Sequence, residues 1–291
     1  MLHTYKKQYQ LLNHRDPPHR IRRLGGGSAK TAVGKHKMDE IRFNDTYYFA
    51  SLVESYIYGK SGFWRYSEEV FKERSLRFNK ETLLHHFIET TIWNYYNRQF
   101  IKHGGVYEDN EDFLEFLRNL FDSYNVSIEF FDDLVNIDES EDLHEDFKKW
   151  WIAKEPEFRQ LFSKIADDVF YIFFGNRELL LHFNELVSQA VMDTVYKDSD
   201  LSSSGKIKRR NIPQWVKKAV FARDKGRCTK CSKDLTGLIA LDSKQHYDHI
   251  VPLNQYGAND PTNIQLLCKS CNLKKSGNII ETSKLYLKWW K

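Results

Sequence analysis

Cys228-Thr229-Lys230-Cys231, then Asp248-His249-Ile250-Val251-Pro252, then Asn263, then Cys268-Lys269-Ser270-Cys271-Asn272 follow one another within 45 residues of a 291-residue chain. All 4 cysteines of the protein lie in the two Cys-x-x-Cys turns. Each turn places two sulfurs close enough to bind one ion, and two turns complete the tetrahedral thiolate shell that zinc accepts. Thirty-six residues separate Cys231 from Cys268, more than a simple ribbon has, so a folded segment is expected between the two knuckles. Two disulfides, or four unrelated thiols, are the alternatives; the paired spacing speaks against the second. Disulfides need an oxidising compartment, and residues 1–10 lack the apolar core of an export signal. Cys228, Cys231, Cys268 and Cys271 are therefore expected to hold a structural zinc, which has no open position for catalysis.

Between the knuckles, residues 246–252 alternate and end at Pro252, as a strand does. Residues 254–261 (NQYGANDP) are dense in turn formers. Residues 264–267 form an apolar run of strand length, and 270–276 a short helix stopped by Gly277. This strand, loop, strand, helix order brings Asp248, His249 and Asn272 toward one face. A histidine titrates near neutrality and can take a proton from water. A carboxylate and an amide oxygen are hard ligands that suit Mg²⁺ or Mn²⁺. One carboxylate and one amide imply one catalytic ion. An isolated Asp-His pair is more often a satisfied histidine beside an acid, and it is the complete pattern that favours chemistry.

The segment 212–278 resembles the HNH endonuclease family, through D-H-I-V-P at 248–252, N-x-x-x-L-C at 263–268 and C-N-x-x-K at 271–275. Asn263 follows His249 by 14 residues and Asn272 follows it by 23. The resemblance implies a small α+β domain of the ββα-metal type stabilised by the four-cysteine zinc. It implies His249 as general base, Asp248 and Asn272 as ligands of the catalytic Mg²⁺ or Mn²⁺, and Asn263 as the residue that orients the histidine loop. It also implies hydrolysis of a DNA phosphodiester to leave 5′-phosphate and 3′-hydroxyl ends. The other reading is an intact but inactive zinc finger that only binds DNA.

Charge is unevenly distributed. The net formal charge is +4, made of +6 over residues 1–40, −14 over 41–200 and +12 over 201–291. A cationic carboxy-terminal segment fits binding to the phosphate backbone of DNA, most readily double-stranded. Lys208, Arg209, Arg210, Lys217, Lys218, Lys274 and Lys275 are the candidates for that contact.

Residues 41–200 read as a mainly α, aromatic-rich, acidic domain. Leu83, Leu84, Phe87, Ile88, Ile92, Tyr95, Tyr96 and Phe100 recur at helical spacing, which predicts a helix over 80–103 capped by Asn79. Further helices are expected over 110–124, 142–151, 155–174 and 177–196, with a weaker one over 45–58. No catalytic pattern occurs here, and His85 and His86 have no partner at metal spacing. The region's negative charge does not suit contact with DNA, so it is expected to be a recognition or partner-docking domain. Its acidic run 132–146 either mimics DNA or binds a basic partner, or is a solvated face. Residues 1–40 read as a basic flexible arm and 197–211 as a linker. Residues 213–224 read as a helix buttressing the first knuckle, and the tail from 279 carries Trp289 and Trp290. No apolar run approaches a membrane span, and an intracellular, cytoplasmic protein is expected. Helical periodicity and the resemblance together imply a mainly α domain followed by a small, zinc-bearing α+β domain of the HNH nuclease type. The resemblance implies a setting in restriction, phage defence or mobile-element biology, among which the sequence does not choose, or a toxin-like effector switched by a partner.

Overall fold

The computed structural model describes residues 43–59, 68–102, 111–134, 142–237 and 244–286. The basic arm and Trp289 and Trp290 lie outside these residues. The amino-terminal part is helical: α1 (Phe43–Tyr58), α2 (Glu68–Leu76), α3 (Leu83–Lys102), α4 (Glu111–Ser123), α5 (Phe131–Leu134), α6 (Leu143–Ala153), α7 (Glu155–Phe174) and α8 (Arg177–Asp193). Local sequence sets these ends. The Asp142 carboxylate accepts the Glu145 amide N–H at 3.1 Å to start α6, and the Asn176 side chain accepts that of Leu179 at 3.2 Å to start α8. Pro156 in the first turn of α7 needs no helical donor.

Helices α3 and α7 pack along each other, with α1 against both. Phe87, Ile88 and Ile92 of α3 meet Phe158, Phe162 and Ile165 of α7 in one core. Trp151 stacks on Trp93 at 5.2 Å between ring centres and donates its indole N–H to Asn97 at 3.1 Å. Each buried side chain of this size contributes about 1.5–3 kcal/mol. That exceeds a surface ion pair such as Lys72–Glu68 several-fold, so the aromatic stripe, not surface charge, holds the bundle. In the acidic run, Asp132 and Asp133 both pair with Arg118.

Helix α3 starts later than the sequence indicates. Thr82, not Asn79, is its cap: the Thr82 hydroxyl accepts the His85 amide N–H at 3.4 Å, and the Asn79 amide turns to the carbonyl of Arg77. The next free donor, Leu83 N–H, is taken by the carboxylate of Asp260, 177 residues away, at 2.8 Å. His85 stacks on Phe170 at 3.9 Å, as a structural histidine.

The carboxy-terminal part contains α9 (Gln214–Arg223), β1 (Gln245–His249), β2 (Ile264–Cys268) and α10 (Lys269–Lys275). Strands β1 and β2 pair antiparallel, with Gln245 opposite Cys268 and His249 opposite Ile264. All five residues of β2 are buried. The ββα unit implied by the resemblance is thus present on a mostly helical chain.

Apolar contacts run across the two parts. Ile250 and Ala258 belong to the helical core, while Phe78 and Phe174 pack against Val216, Val220 and Leu266. Buried Asp224 accepts Arg223 at 2.9 Å and the Leu266 amide N–H at 3.0 Å, with Arg177 of α8 3.5 Å away. Residues 197–211 are not the loose tether expected of their composition. Leu201 bridges Ile207 in a tight reversal turning at Gly205 (φ +70°), and Ile207 is buried in the helical core. One apolar side chain among polar neighbours suffices to fold it down. The described tail also packs back: Gln265 donates to the carbonyl of Glu281 at 2.9 Å, and the Arg177 guanidinium lies 4.1 Å over the ring of Tyr286. No helix among the described residues is long and apolar enough to cross a membrane.

Candidate metal centre and catalytic site

The four cysteine sulfurs lie within 4.8 Å of one another, with Cys231 Sγ 3.7 Å from Cys268 Sγ. A tetrahedral zinc with bonds of about 2.3 Å would hold its sulfurs about 3.8 Å apart, so the cluster fits that ion. The first knuckle is shaped by its backbone. Cys228 O accepts the Ser232 amide N–H at 2.8 Å, and the Thr229 amide N–H donates to Leu266 O at 2.9 Å, fixing the turn to β2. Gly226 leads into it at φ +61°, where a Cβ would stand 2.7 Å from Thr236 and 2.8 Å from Phe221. In the second pair, Cys268 ends β2 and Cys271 lies in the first turns of α10. Four thiols this close cannot all ionise unaided. Burial pushes the Cys271 and Cys231 thiols up. Cys268 is buried too, but donors from Ser270 and Cys271 hold it down at about 6. A divalent cation reconciles the set.

His249 ends β1. The side chain is 1 % exposed, and neither ring nitrogen has a hydrogen-bond partner of good geometry. Burial lowers its pKa to about 3, helped by the charges of Arg209 and then Lys275, with Asn259 acting the other way. The imidazole is therefore neutral, and the same burial disfavours its protonated form. Buried unpartnered ring nitrogens are rare and mark a place where another group binds.

Asn263 fixes the loop that follows. Its carbonyl accepts the Ile250 amide N–H at 2.6 Å, and its side chain accepts that of Val251 at 2.8 Å. The same amide donates to Val251 O at 2.9 Å and Ala258 O at 3.0 Å, so one residue ties both ends of loop 250–258. This capture of both amides is why β1 ends at His249 rather than at 252. Gly257 closes the loop where any Cβ would come 2.0 Å from the Val251 carbonyl oxygen.

Asp248 is paired. Lys275 Nζ lies 2.9 Å from its carboxylate and donates to the carbonyl of His249 at 2.7 Å. Lys275 is 1 % exposed, so the surface phosphate contact expected of it does not occur; Lys274 beside it is exposed. Asn272 is half-buried, three residues before Lys275 on α10. Of the other basic candidates, Lys208 donates to Ser199 O at 2.8 Å and Arg210 lies 3.8 Å from Asp200, so both turn to the turn at Asp198–Asp200. Lys218 is exposed on α9, and Lys217 stands 6.0 Å from the ring centre of Tyr247. Arg209 is exposed.

Two supporting residues were not legible as functional. Asn259, fully buried, donates to Leu76 O and Lys208 O and accepts the Arg210 amide N–H. Asp260, also buried, accepts both the amide and the hydroxyl of Thr262, besides Leu83 N–H. Within NQYGANDP both residues read as turn formers, and only their distant partners reveal the clamp.

No curated protein and no solved structure matches the chain. Residues 228–277, which carry both knuckles, Asp248, His249, Asn263 and Asn272, match the HNH endonuclease family model, so this segment is of a kind that acts on or binds nucleic acid.

Proposed function

We propose that the chain is a metal-dependent endonuclease that hydrolyses phosphodiester bonds of double-stranded DNA. The observation that carries this reading is the buried, neutral His249 with two unpartnered ring nitrogens beside Asp248 in the matched segment. His249 takes the proton of the attacking water, and Asn263 holds the loop so that the ring is presented for that transfer. Asp248 and Asn272 hold a Mg²⁺ or Mn²⁺, which when bound supplies Lewis-acid stabilisation of the phosphate and the leaving 3′ oxygen. The hard oxygen donors and the orphaned imidazole support that fit. The four cysteines hold a zinc that shapes the finger without joining the reaction. Arg209, Lys217, Lys218 and Lys274 offer positive charge to the DNA backbone. The acidic helical region serves recognition or the docking of a protein partner, in a restriction or phage-defence setting.

Supercoiled plasmid incubated with the full chain with and without Mg²⁺ or Mn²⁺ tests the proposal. Metal-dependent nicked or linear product supports it, and unchanged plasmid with both metals contradicts it. The Lys275–Asp248 pair favours one second reading, because an ammonium on that carboxylate competes with a cation. In that reading the finger binds DNA without cutting it, and a mobility shift with no cleavage is its signature.

A further inference from the structure

Positive charge on the finger is not equally available. Lys206 stacks on the ring of Tyr256, 2.9 Å from its centre, and Lys275 lies against Asp248. Lys208 and Arg210 go to the turn at Asp198–Asp200, and Arg223 holds the buried carboxylate of Asp224 at 2.9 Å. Helix α9 is different. Its inner face is Val216 and Val220, fully buried in one core with Ile264 and Leu266 of β2. Helical spacing puts Gln214, Trp215, Lys218 and Ala222 on the other side, and all four are exposed. Trp215 keeps 36 % of its surface open. Residues 211–223 contain no acid, and Asp224, which follows them, is buried and paired. Lys225, one residue further on, is exposed again. The outward face is therefore aromatic and cationic, with no negative charge inside it.

This face is also rigidly placed. Arg223 donates to Ile264 O at 2.7 Å and Asp224 accepts the Leu266 amide N–H at 3.0 Å, so the end of α9 is tied to β2. Lys217 reaches toward the other strand, its ammonium 6.0 Å from the ring centre of Tyr247, the residue before Asp248. The helix thus stands beside the strand that carries Asp248 and His249.

We infer that the outward face of α9 docks one strand of duplex DNA and so lays the duplex across the finger next to β1. This rests on the nucleic-acid reading of the same finger. Lys218 and Lys225 meet phosphates, whose charge they complement, and no carboxylate on the face repels the backbone. Trp215 offers a broad apolar ring, which suits the apolar side of a deoxyribose between phosphates. The two kinds of contact leave different signatures. A lysine that neutralises a phosphate releases counterions and steepens the fall of affinity with salt, whereas an apolar contact to a sugar does not.

The test compares full-length wild type, Trp215→Ala and Lys218→Ala, with Tyr171→Ala, an exposed aromatic of α7, as the control. Fluorescence anisotropy of a labelled duplex, without added divalent metal, gives affinity over a range of salt concentrations. Zinc content and melting temperature check the fold. Lys218→Ala is expected to flatten the slope of log affinity against log salt by about 0.9. Trp215→Ala is expected to bind about 5-fold more weakly at every salt concentration, with the slope unchanged. Tyr171→Ala should bind as wild type does. Wild-type affinity and slope in both α9 variants overturn the inference, and a face kept for a protein partner would give that result. An equal loss in Tyr171→Ala overturns it too. If Trp215→Ala melts lower, Lys218→Ala decides alone: a flatter slope supports the docking face, and an unchanged slope refutes it. A wild type that binds no duplex at all would instead strike the nucleic-acid reading beneath the inference, and the inference with it.

Discussion

The buried carboxylate of Asp260, in the loop between the two strands of the finger, accepts the amide N–H of Leu83 at the start of α3 at 2.8 Å. A helix of the amino-terminal part is thus capped by the finger that carries the metal-binding cysteines. The capping oxygen sits three residues from Asn263, which holds the His249 loop. Burial raises the carboxyl's pKa, and the Thr262 and Leu83 donors oppose that rise. Finger and helices form one hydrogen-bonded structure at this point.

Asp260→Ala leaves the Leu83 and Thr262 donors buried without partners, and is expected to lower stability by about 2–4 kcal/mol. Urea unfolding followed by circular dichroism measures it. The same contacts predict that a fragment of residues 201–291 does not fold by itself, because Asp260, Asn259 and Ile250 lose what they pack against. A cooperative, zinc-loaded melt of that fragment would refute this coupling.

Cys228→Ser and Cys268→Ser are each expected to lose the zinc and unfold the finger, since small metal domains draw much of their folding free energy from the ion. Elemental analysis should give about one zinc per wild-type chain and far less in the variants. A variant with full zinc content would show that the four sulfurs do not act as one site.

How much of this was open to a reader of the sequence depends on the range of the interaction. The knuckles were legible from their spacing, and the strands and α10 from alternation, an apolar run and turn formers. Strand β1 nonetheless ends at His249, because Asn263 takes the next two amides. Helix α7 was legible to the residue from its helical periodicity. Helix α2, EEVFKERSL, was missed: it buries only Phe71 and Ser75 and has almost no apolar period. The cap of α3 was misplaced because its real partner lies 177 residues away. Lys275 reads as one of two surface lysines, and nothing local tells that it turns inward to Asp248. The backbones of Lys208 and Arg210 likewise depend on Asn259, a residue that sequence assigns to a turn.

Lys275→Met removes the ammonium that lies against Asp248 and the donor to His249 O. Stability should fall by about 2–4 kcal/mol, less than for a fully buried pair because Asp248 is partly exposed. Added Mg²⁺ should raise the variant's melting temperature more than that of wild type, since the carboxylate is then open to the ion. Equal shifts in both proteins would place the ion away from Asp248.

Asn263→Ala removes the three side-chain hydrogen bonds that tie loop 250–258. Cleavage is expected to slow by roughly 10- to 100-fold, the usual scale for a residue that orients a catalytic group. Zinc content should stay at the wild-type level. Cleavage kinetics alongside elemental analysis check both, and an unchanged rate would mean that the loop holds the histidine without Asn263.

The central claim is that His249 is the proton acceptor of a DNA-cutting site, and His249→Ala tests it most directly. Plasmid cleavage by the purified full-length variant in Mg²⁺ or Mn²⁺ should fall by at least about 100-fold, while zinc content and duplex binding remain at wild-type levels. Cleavage at the wild-type rate by that variant would contradict the account.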